Sequence, residues 1–224
     1  YKTYAIEEKI LYSGPGQRGL VALTFDDGPS PYYTDKVLDI LKQNDIKATF
    51  FLIGSHVEEY PEIVKRIAEE GHQIGSHSWS HGNFSKMETK QIKQELDKTE
   101  EAVCSAGGKI SNLFRPPYGS SDETSMEYIH DCGYNIINWS VDTRDWAGES
   151  VDQILLNVQN QLGPEGIILM HSSGKQNAMD NMLIALPKII KLVEEKGYEF
   201  ATVSETLQLK KSNKVKESIA QCKK

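Results

Sequence analysis

The sequence predicts an α/β protein, a distorted (β/α) barrel of about seven parallel strands. Three observations carry this. Short apolar runs alternate with helix-patterned segments about seven times, the signature of a parallel sheet with crossover helices. Most of these runs are apolar at every position, as strands buried on both faces are, which favours a closed or distorted barrel over an open sheet. Polar residues gather directly after the runs, and barrels of this type place their chemistry at the C-terminal ends of the strands.

The elements follow in order. Residues 1–17 are polar, end in Ser13-Gly14-Pro15-Gly16, and read as a lead-in arm or an added edge element. The first strand is 19–25. A helix over 33–44 carries Val37, Ile40 and Leu41 at helical spacing, with Thr34 as its N-cap. Lys47–Ile53 is a second strand. The next helix has Pro61 in its first turn, buries Ile63, Val64, Ile67 and Ala68, and stops at Gly71. Gln73–Ser76 is a short strand, and 87–105 is a charge-rich helix with a solvated face. Leu113-Phe114 is a brief strand, 123–131 a helix and Tyr134–Trp139 a strand. Ser150 with Gln153 forms a capping box for a helix bearing Ile154, Leu155, Val158 and Leu162. Ile167–Met170 is an apolar strand. A helix with Pro187 near its start runs to Gly197, and Tyr198–Val203 is the last strand. The body of the domain is 18–207, and residues 208–224 form a Lys-rich tail, a short amphipathic helix or an unstructured extension.

Composition narrows the function. The chain has 224 residues, 38% hydrophobic and 25% charged, with a net charge of −7. That balance excludes nucleic acid as the main partner, since neutralising phosphates takes clustered Lys and Arg. No apolar run reaches the ~18 residues that span a bilayer. The chain starts at Tyr1 and shows no signal peptide, so any export signal or anchor is expected outside this sequence. The three cysteines, Cys104, Cys132 and Cys222, form no spaced framework; packing is expected for the first two, and a tail role or none for Cys222.

The polar clusters carry the chemistry. Asp26 and Asp27 end the first strand, directly before Gly28-Pro29. Adjacent carboxylates repel, and a strand end that keeps both calls for a positive partner, a metal or an arginine; the other reading is an Asp-Asp-Gly-Pro surface turn. His77-Ser78-Trp79-Ser80-His81 spaces two imidazoles four apart, which on one helical turn suits chelation of zinc. One carboxylate added to them leaves a coordination position open, as in catalytic sites. Arg115 and Tyr118, Asp142 to Trp146, and His171 end later strands.

Five segments, in order, resemble the motifs of the polysaccharide deacetylase family, the NodB-homology domain of carbohydrate esterase family 4. Thr24–Pro29 matches Thr-Phe-Asp-Asp-Gly-Pro in full. His77–His81 matches His-[Ser/Thr]-x-x-His, Arg115–Gly119 Arg-x-Pro-Tyr-Gly, Asp142–Trp146 Asp-x-x-Asp-Trp, and Leu169–His171 Leu-x-His. The resemblance spans about 18–205. It implies a distorted (β/α) barrel, one divalent metal (zinc first, cobalt or nickel as alternatives), and removal of acetyl groups from an N-acetylated glycan. It implies Asp27, His77 and His81 as metal ligands, Asp26 as general base and Arg115 as the residue that holds it. It implies the Tyr118 backbone N–H as oxyanion donor, His171 as general acid with Asp145 as its partner, and Trp146 and Leu169 as walls of the acetyl pocket. Ser120-Ser121-Asp122 departs from relatives that have an asparagine nearby, which concerns that loop only.

The chemistry is consistent with those roles: amide hydrolysis needs an activated water, a stabilised oxyanion and a proton for the departing amine. The leading expectation is a monomeric, extracytoplasmic N-deacetylase of peptidoglycan or a chitin-like polymer, acting on N-acetylglucosamine. The Asp-Asp pair leans that way by analogy, because some relatives acting on the muramic unit have Asn at the second position. An O-deacetylase would use the same site with less need of His171. From another class, a glycan-binding module would keep the fold and release no acetate. Ser78 is expected to tie down the loop between the histidines and Asp142 to shape its own loop, while Trp79, Tyr32 and Tyr33 either stack on sugars or pack.

Overall fold

In the computed structural model, residues 9–120 and 122–209 are described. The expected Lys-rich tail lies outside them from 210 on, as do Cys222, Ser121 and the first eight residues of the arm. Among the described residues nine strands form one sheet: β1 Ile10–Leu11, β2 Leu20–Asp26, β3 Thr49–Leu52, β4 Gln73–Ser76, β5 Ile110–Phe114, β6 Asn135–Ile137, β7 Val141–Asp142, β8 Ile167–His171 and β9 Glu199–Ala201. Their order is β1-β6-β5-β4-β3-β2-β8-β7, with every ladder parallel. β9 pairs with Leu20–Ala22, on the edge of β2 whose upper part pairs with β3. β1 and β7 end the sheet, so the barrel is open and distorted, as expected. The arm contributes β1 as an edge on β6, then crosses to an antiparallel bridge between Ser13 and Gly166 at the foot of β8.

Alternation along the strands separates an inside from an outside. Leu23 and Phe25 of β2, Phe50 and Leu52 of β3, and Ile168 and Met170 of β8 face outward into one large core. The helices cover that face: α1 Tyr33–Gln43, α2 Gly54–Glu59, α3 Pro61–Glu69, α4 Thr89–Ser105, α6 Val151–Gln161 and α7 Gln176–Glu195. Helix α5 Glu123–Asp131 instead packs Met126 and Ile129 against Phe84, Phe114 and Ile136. Ala22, Phe51, Leu113, Ile137 and Ile167 fill the interior, joined by Val203 of the short helix α8 Val203–Thr206. Gly75 is glycine because the Phe51 ring takes its side-chain space; a Cβ there would lie 2.7 Å from the ring. The same inward register then presents Thr24, Asp26, Arg115, Leu169 and His171, which puts polar groups at the upper end of the interior.

Several local expectations change. Residues 77–81 are an irregular loop and not a helical turn, because Ser78 (φ 70°) and His81 (φ 56°) are left-handed. Thr34 is inside α1; its hydroxyl accepts from Ser30 N at 2.8 Å and donates to Ser172 O at 3.2 Å, so it braces a loop instead of capping. Half of the capping box forms: Ser150 accepts from Gln153 N at 3.2 Å, while the Gln153 side chain turns to Asn157. Pro187 lies inside α7, which is carried past the proline by buried Met182, Leu186, Ile189 and Ile190. The last strand stops at Ala201 because Thr202 caps α8. Cys104 is disulfide-bonded, which corrects the packing role expected for it, and Cys132 is the free cysteine among the described residues.

Candidate active site

Asp26 and Asp27 leave β2 in opposite directions. Asp26 still follows the strand's alternation and points inward, 3% exposed. Asp27 turns into the left-handed region at φ 69°, a conformation Asp tolerates better than most residues. Its carbonyl is held by His56 Nδ1 of α2 at 2.8 Å. The turn points its carboxylate at the loop after β4.

There, His77 Nε2 and His81 Nε2 each lie 3.3 Å from Asp27 Oδ1. His77 Nδ1 donates to the Arg115 carbonyl at 2.7 Å, which leaves Nε2 as the nitrogen turned to the aspartate. Asp27 Oδ1 is buried and has no hydrogen-bond partner. The three ligand atoms lie within 4.8 Å of one another, the one such group among the described residues. Two imidazole nitrogens and one carboxylate oxygen, closing on an orphaned buried oxygen, fit a divalent ion of the zinc type with positions left open. Burial works to raise the Asp27 carboxyl, but the neighbouring His77 imidazole and the charges of His171 and His81 bring it down to about 2. Burial and the charge of His77 hold His81 below its ordinary value, which keeps its lone pair available.

Asp26 has a different partner. Arg115, fully buried, donates from Nη1 to Asp26 Oδ1 at 2.8 Å and to Thr24 Oγ1 at 2.7 Å. Its Nη2 donates to Asn138 O at 3.0 Å and its Nε to Ile137 O at 3.2 Å. The guanidinium stacks 4.2 Å over the Phe51 ring. Asp26 Oδ2 stands 3.7 Å from His77 Nε2, beside the metal group but outside it.

Opposite, Asp145 is fully buried and holds His171 twice, accepting from its Nδ1 and from its backbone N, both at 2.8 Å. Asp145 Oδ1 also accepts from Trp146 N at 2.8 Å. Burial alone would drive the proton off His171. The hydrogen bond and charge of Asp145, followed by the charges of Asp26 and Asp27, raise it to about 9.

Asp26, Asp27, His77, His81 and His171 line one cleft of about 340 Å³, with Pro116, Tyr118, Gly119, Trp139, Asp142, Trp146 and Leu169, while Arg115 and Asp145 are buried behind Asp26 and His171. Tyr118 is left-handed (φ 60°), 78% exposed, and its ring meets the His81 ring edge-on at 4.7 Å. Trp146 is 52% exposed beneath the Arg144 guanidinium. All ten expected site residues are therefore brought together. Ser78 Oγ accepts from His81 N at 2.9 Å and Asp142 accepts from Arg144 N at 2.9 Å, the loop roles expected of them. Trp79 packs over Gly54 in a separate groove with Val57, Pro61 and Ala102. Reading the sequence missed His56 and Asn138, whose roles depend on backbone contacts that leave no spacing signal.

The sequence model of the polysaccharide deacetylase family matches residues 13–137. The chain is 43% identical, over 92% of its length and 76% of the relative's, to a peptidoglycan-N-acetylglucosamine deacetylase of Bacillus cereus. It is 41% identical to the peptidoglycan-N-acetylglucosamine deacetylase PgdA of Listeria monocytogenes, over 83% of this chain but only 38% of that longer protein. Its fold superposes with a TM-score of 0.88, at 40% identity, on the crystal structure of the Bc1960 peptidoglycan N-acetylglucosamine deacetylase in complex with 4-naphthalen-1-yl-N-oxidanyl-benzamide, covering 95% of this chain and 100% of the other. With two aspartates divided between an arginine and a histidine pair, and with these matches, the chain belongs to the polysaccharide deacetylase family and is an enzyme of that class.

Proposed function

We propose that the protein hydrolyses the N-acetyl group of N-acetylglucosamine residues in peptidoglycan or a chitin-like polymer, leaving the free amine and acetate. The observation that carries this reading is the presence in one cleft of two acid–base groups, each with its own oppositely charged partner: Asp26 against Arg115 and His171 against Asp145. Asp26, held in place by the guanidinium, takes a proton from the attacking water. His171 donates from Nε2, because its Nδ1 is committed to Asp145, and its raised proton affinity keeps it charged until the amine departs. An amine leaves poorly without that proton, so a strongly protonated His171 supports an amide substrate over an ester. Each such group typically contributes about 10²–10⁴-fold.

Asp27, His77 and His81 would hold a divalent metal, zinc first with cobalt or nickel as alternatives, and when bound it would polarise the acetyl carbonyl and lower the pKa of a water. The backbone N–H of Tyr118 is the proposed second oxyanion donor, and Trp146 and Leu169 the walls that receive the acetyl methyl. The glycan preference rests on the names of the relatives, and an extracytoplasmic location on where such polymers lie; among the described residues no helix is long and apolar enough to cross a membrane. Acetate and free amine are to be measured side by side on peptidoglycan, chitin oligomers and acetylxylan. Equal amine and acetate from the N-acetylated polymers is the expected result; acetate from acetylxylan alone would replace this reading with the O-deacetylase.

A further inference from the structure

The two histidines facing Asp27 are held in different ways. His77 directly follows β4, is buried, and is aimed by its Nδ1 bond to Arg115 O. His81 has no equivalent: among the described residues no protein group other than Asp27 makes a polar contact with its imidazole, whose remaining partners are the rings of His77 and Tyr118. A metal-binding imidazole is ordinarily oriented by a hydrogen bond from its second nitrogen. The aim of His81 must therefore come through its backbone.

That backbone has to be imposed by its surroundings, because Ser78 and His81 are both left-handed. The loop carbonyls are taken by the start of α2: Gly54 N donates to Ser78 O at 2.9 Å and Ser55 N to Trp79 O at 3.1 Å. The His81 N–H is taken by Ser78 Oγ within the loop, and the N–H groups of the two residues before it converge on one carboxylate. Glu95, on α4, accepts from Trp79 N and Ser80 N through Oε2 and from Ser80 Oγ through Oε1, all at 2.9 Å. Glu95 does not line the cleft. It spends both oxygens on the segment between the two histidines.

We propose that Glu95 is a positioning residue for the metal centre: its carboxylate clamps Trp79 and Ser80 and so sets His81 Nε2 opposite Asp27. This rests on the reading of Asp27, His77 and His81 as a metal site.

The test is zinc affinity, by competition with a chromogenic chelator, on the full chain and on Glu95→Gln, Glu95→Ala, His81→Ala and the Glu95→Ala/His81→Ala double variant. Circular dichroism verifies folding, and the visible absorption of the cobalt-loaded proteins reports ligand geometry. Loss of a second-layer partner commonly costs roughly 10–100-fold in metal affinity. Glu95→Ala is expected to weaken zinc by that order and to alter the cobalt spectrum, with Glu95→Gln intermediate because its amide offers one acceptor. In the His81→Ala background the Glu95 substitution should have little further effect, since it acts through His81. If Glu95→Ala fails to fold, Glu95→Gln carries the comparison. A folded Glu95 variant with full zinc affinity, or the same loss with and without His81, overturns the proposal. Absence of zinc binding by the unaltered chain would overturn the metal reading itself and this inference with it.

Discussion

Arg115 Nη1 stands 2.8 Å from Asp26 Oδ1 and 2.7 Å from Thr24 Oγ1, with all three side chains buried in the barrel interior. Thr24 donates in turn to Ile168 O at 2.6 Å. Asp26 is thus held by a guanidinium that is itself fixed from four directions, so its carboxylate has little freedom to swing away from the cleft. A buried charge pair of this kind stabilises poorly on balance but is costly to break from one side.

Thr24→Val tests that support without touching either charge. The swap keeps shape and removes the hydroxyl, leaving one buried Arg115 proton without a partner. Each buried polar group left unpaired costs about 1–3 kcal/mol. Denaturant titration should show a loss of that order, and kcat should fall with KM near its original value. Unchanged stability would show that Thr24 is not part of the brace.

His77→Ala and Asp27→Asn should each lose bound metal, read as zinc content after dialysis, and lose turnover with it. His77 is the more severe of the two, because its removal also frees the Arg115 carbonyl it is bonded to. A His77→Ala protein that keeps one tightly held zinc would place the metal elsewhere.

The pH dependence follows from His171, which sits at about 9 against an ordinary 6.5. As the proton donor it must be charged, so activity should fall as pH rises through that value; a bound dication nearby adds positive charge and moves the limb below about 9. Asp145→Asn removes the charge that raises it and should shift the limb to lower pH. The sign for stability is the same: the raised folded value contributes stability that is complete below about 6.5 and is lost as pH rises through about 9. With a chelator present, the melting temperature should decline across that interval, and His171→Gln should flatten the decline.

How much of this was legible beforehand depended on whether a residue's role is set by its own strand or by distant backbone. Leu20–Asp26 and Ile167–His171 could be placed from apolar runs alone, and with them the strand ends where Asp26 and His171 sit. The run Tyr134 to Trp139 located β6 but overran its three residues, and the two-residue β7 that follows at Val141–Asp142 is too short to leave an apolar run of its own. The His77–His81 spacing pointed to a shared ion, yet for a helical reason the chain does not use; two left-handed residues bring the imidazoles together instead. His56 was invisible because it acts on the Asp27 carbonyl, a group every residue has.

In the proposed function the adjacent aspartates have separate tasks, one holding a cation and one moving a proton. Asp26→Asn tests this most directly, with zinc content and amine release from N-acetylated glycan measured on the same sample. The account predicts one zinc per chain as in the unaltered protein, with amine release lower by at least about 10²-fold. Near-normal amine release from Asp26→Asn, or loss of its zinc, would contradict it.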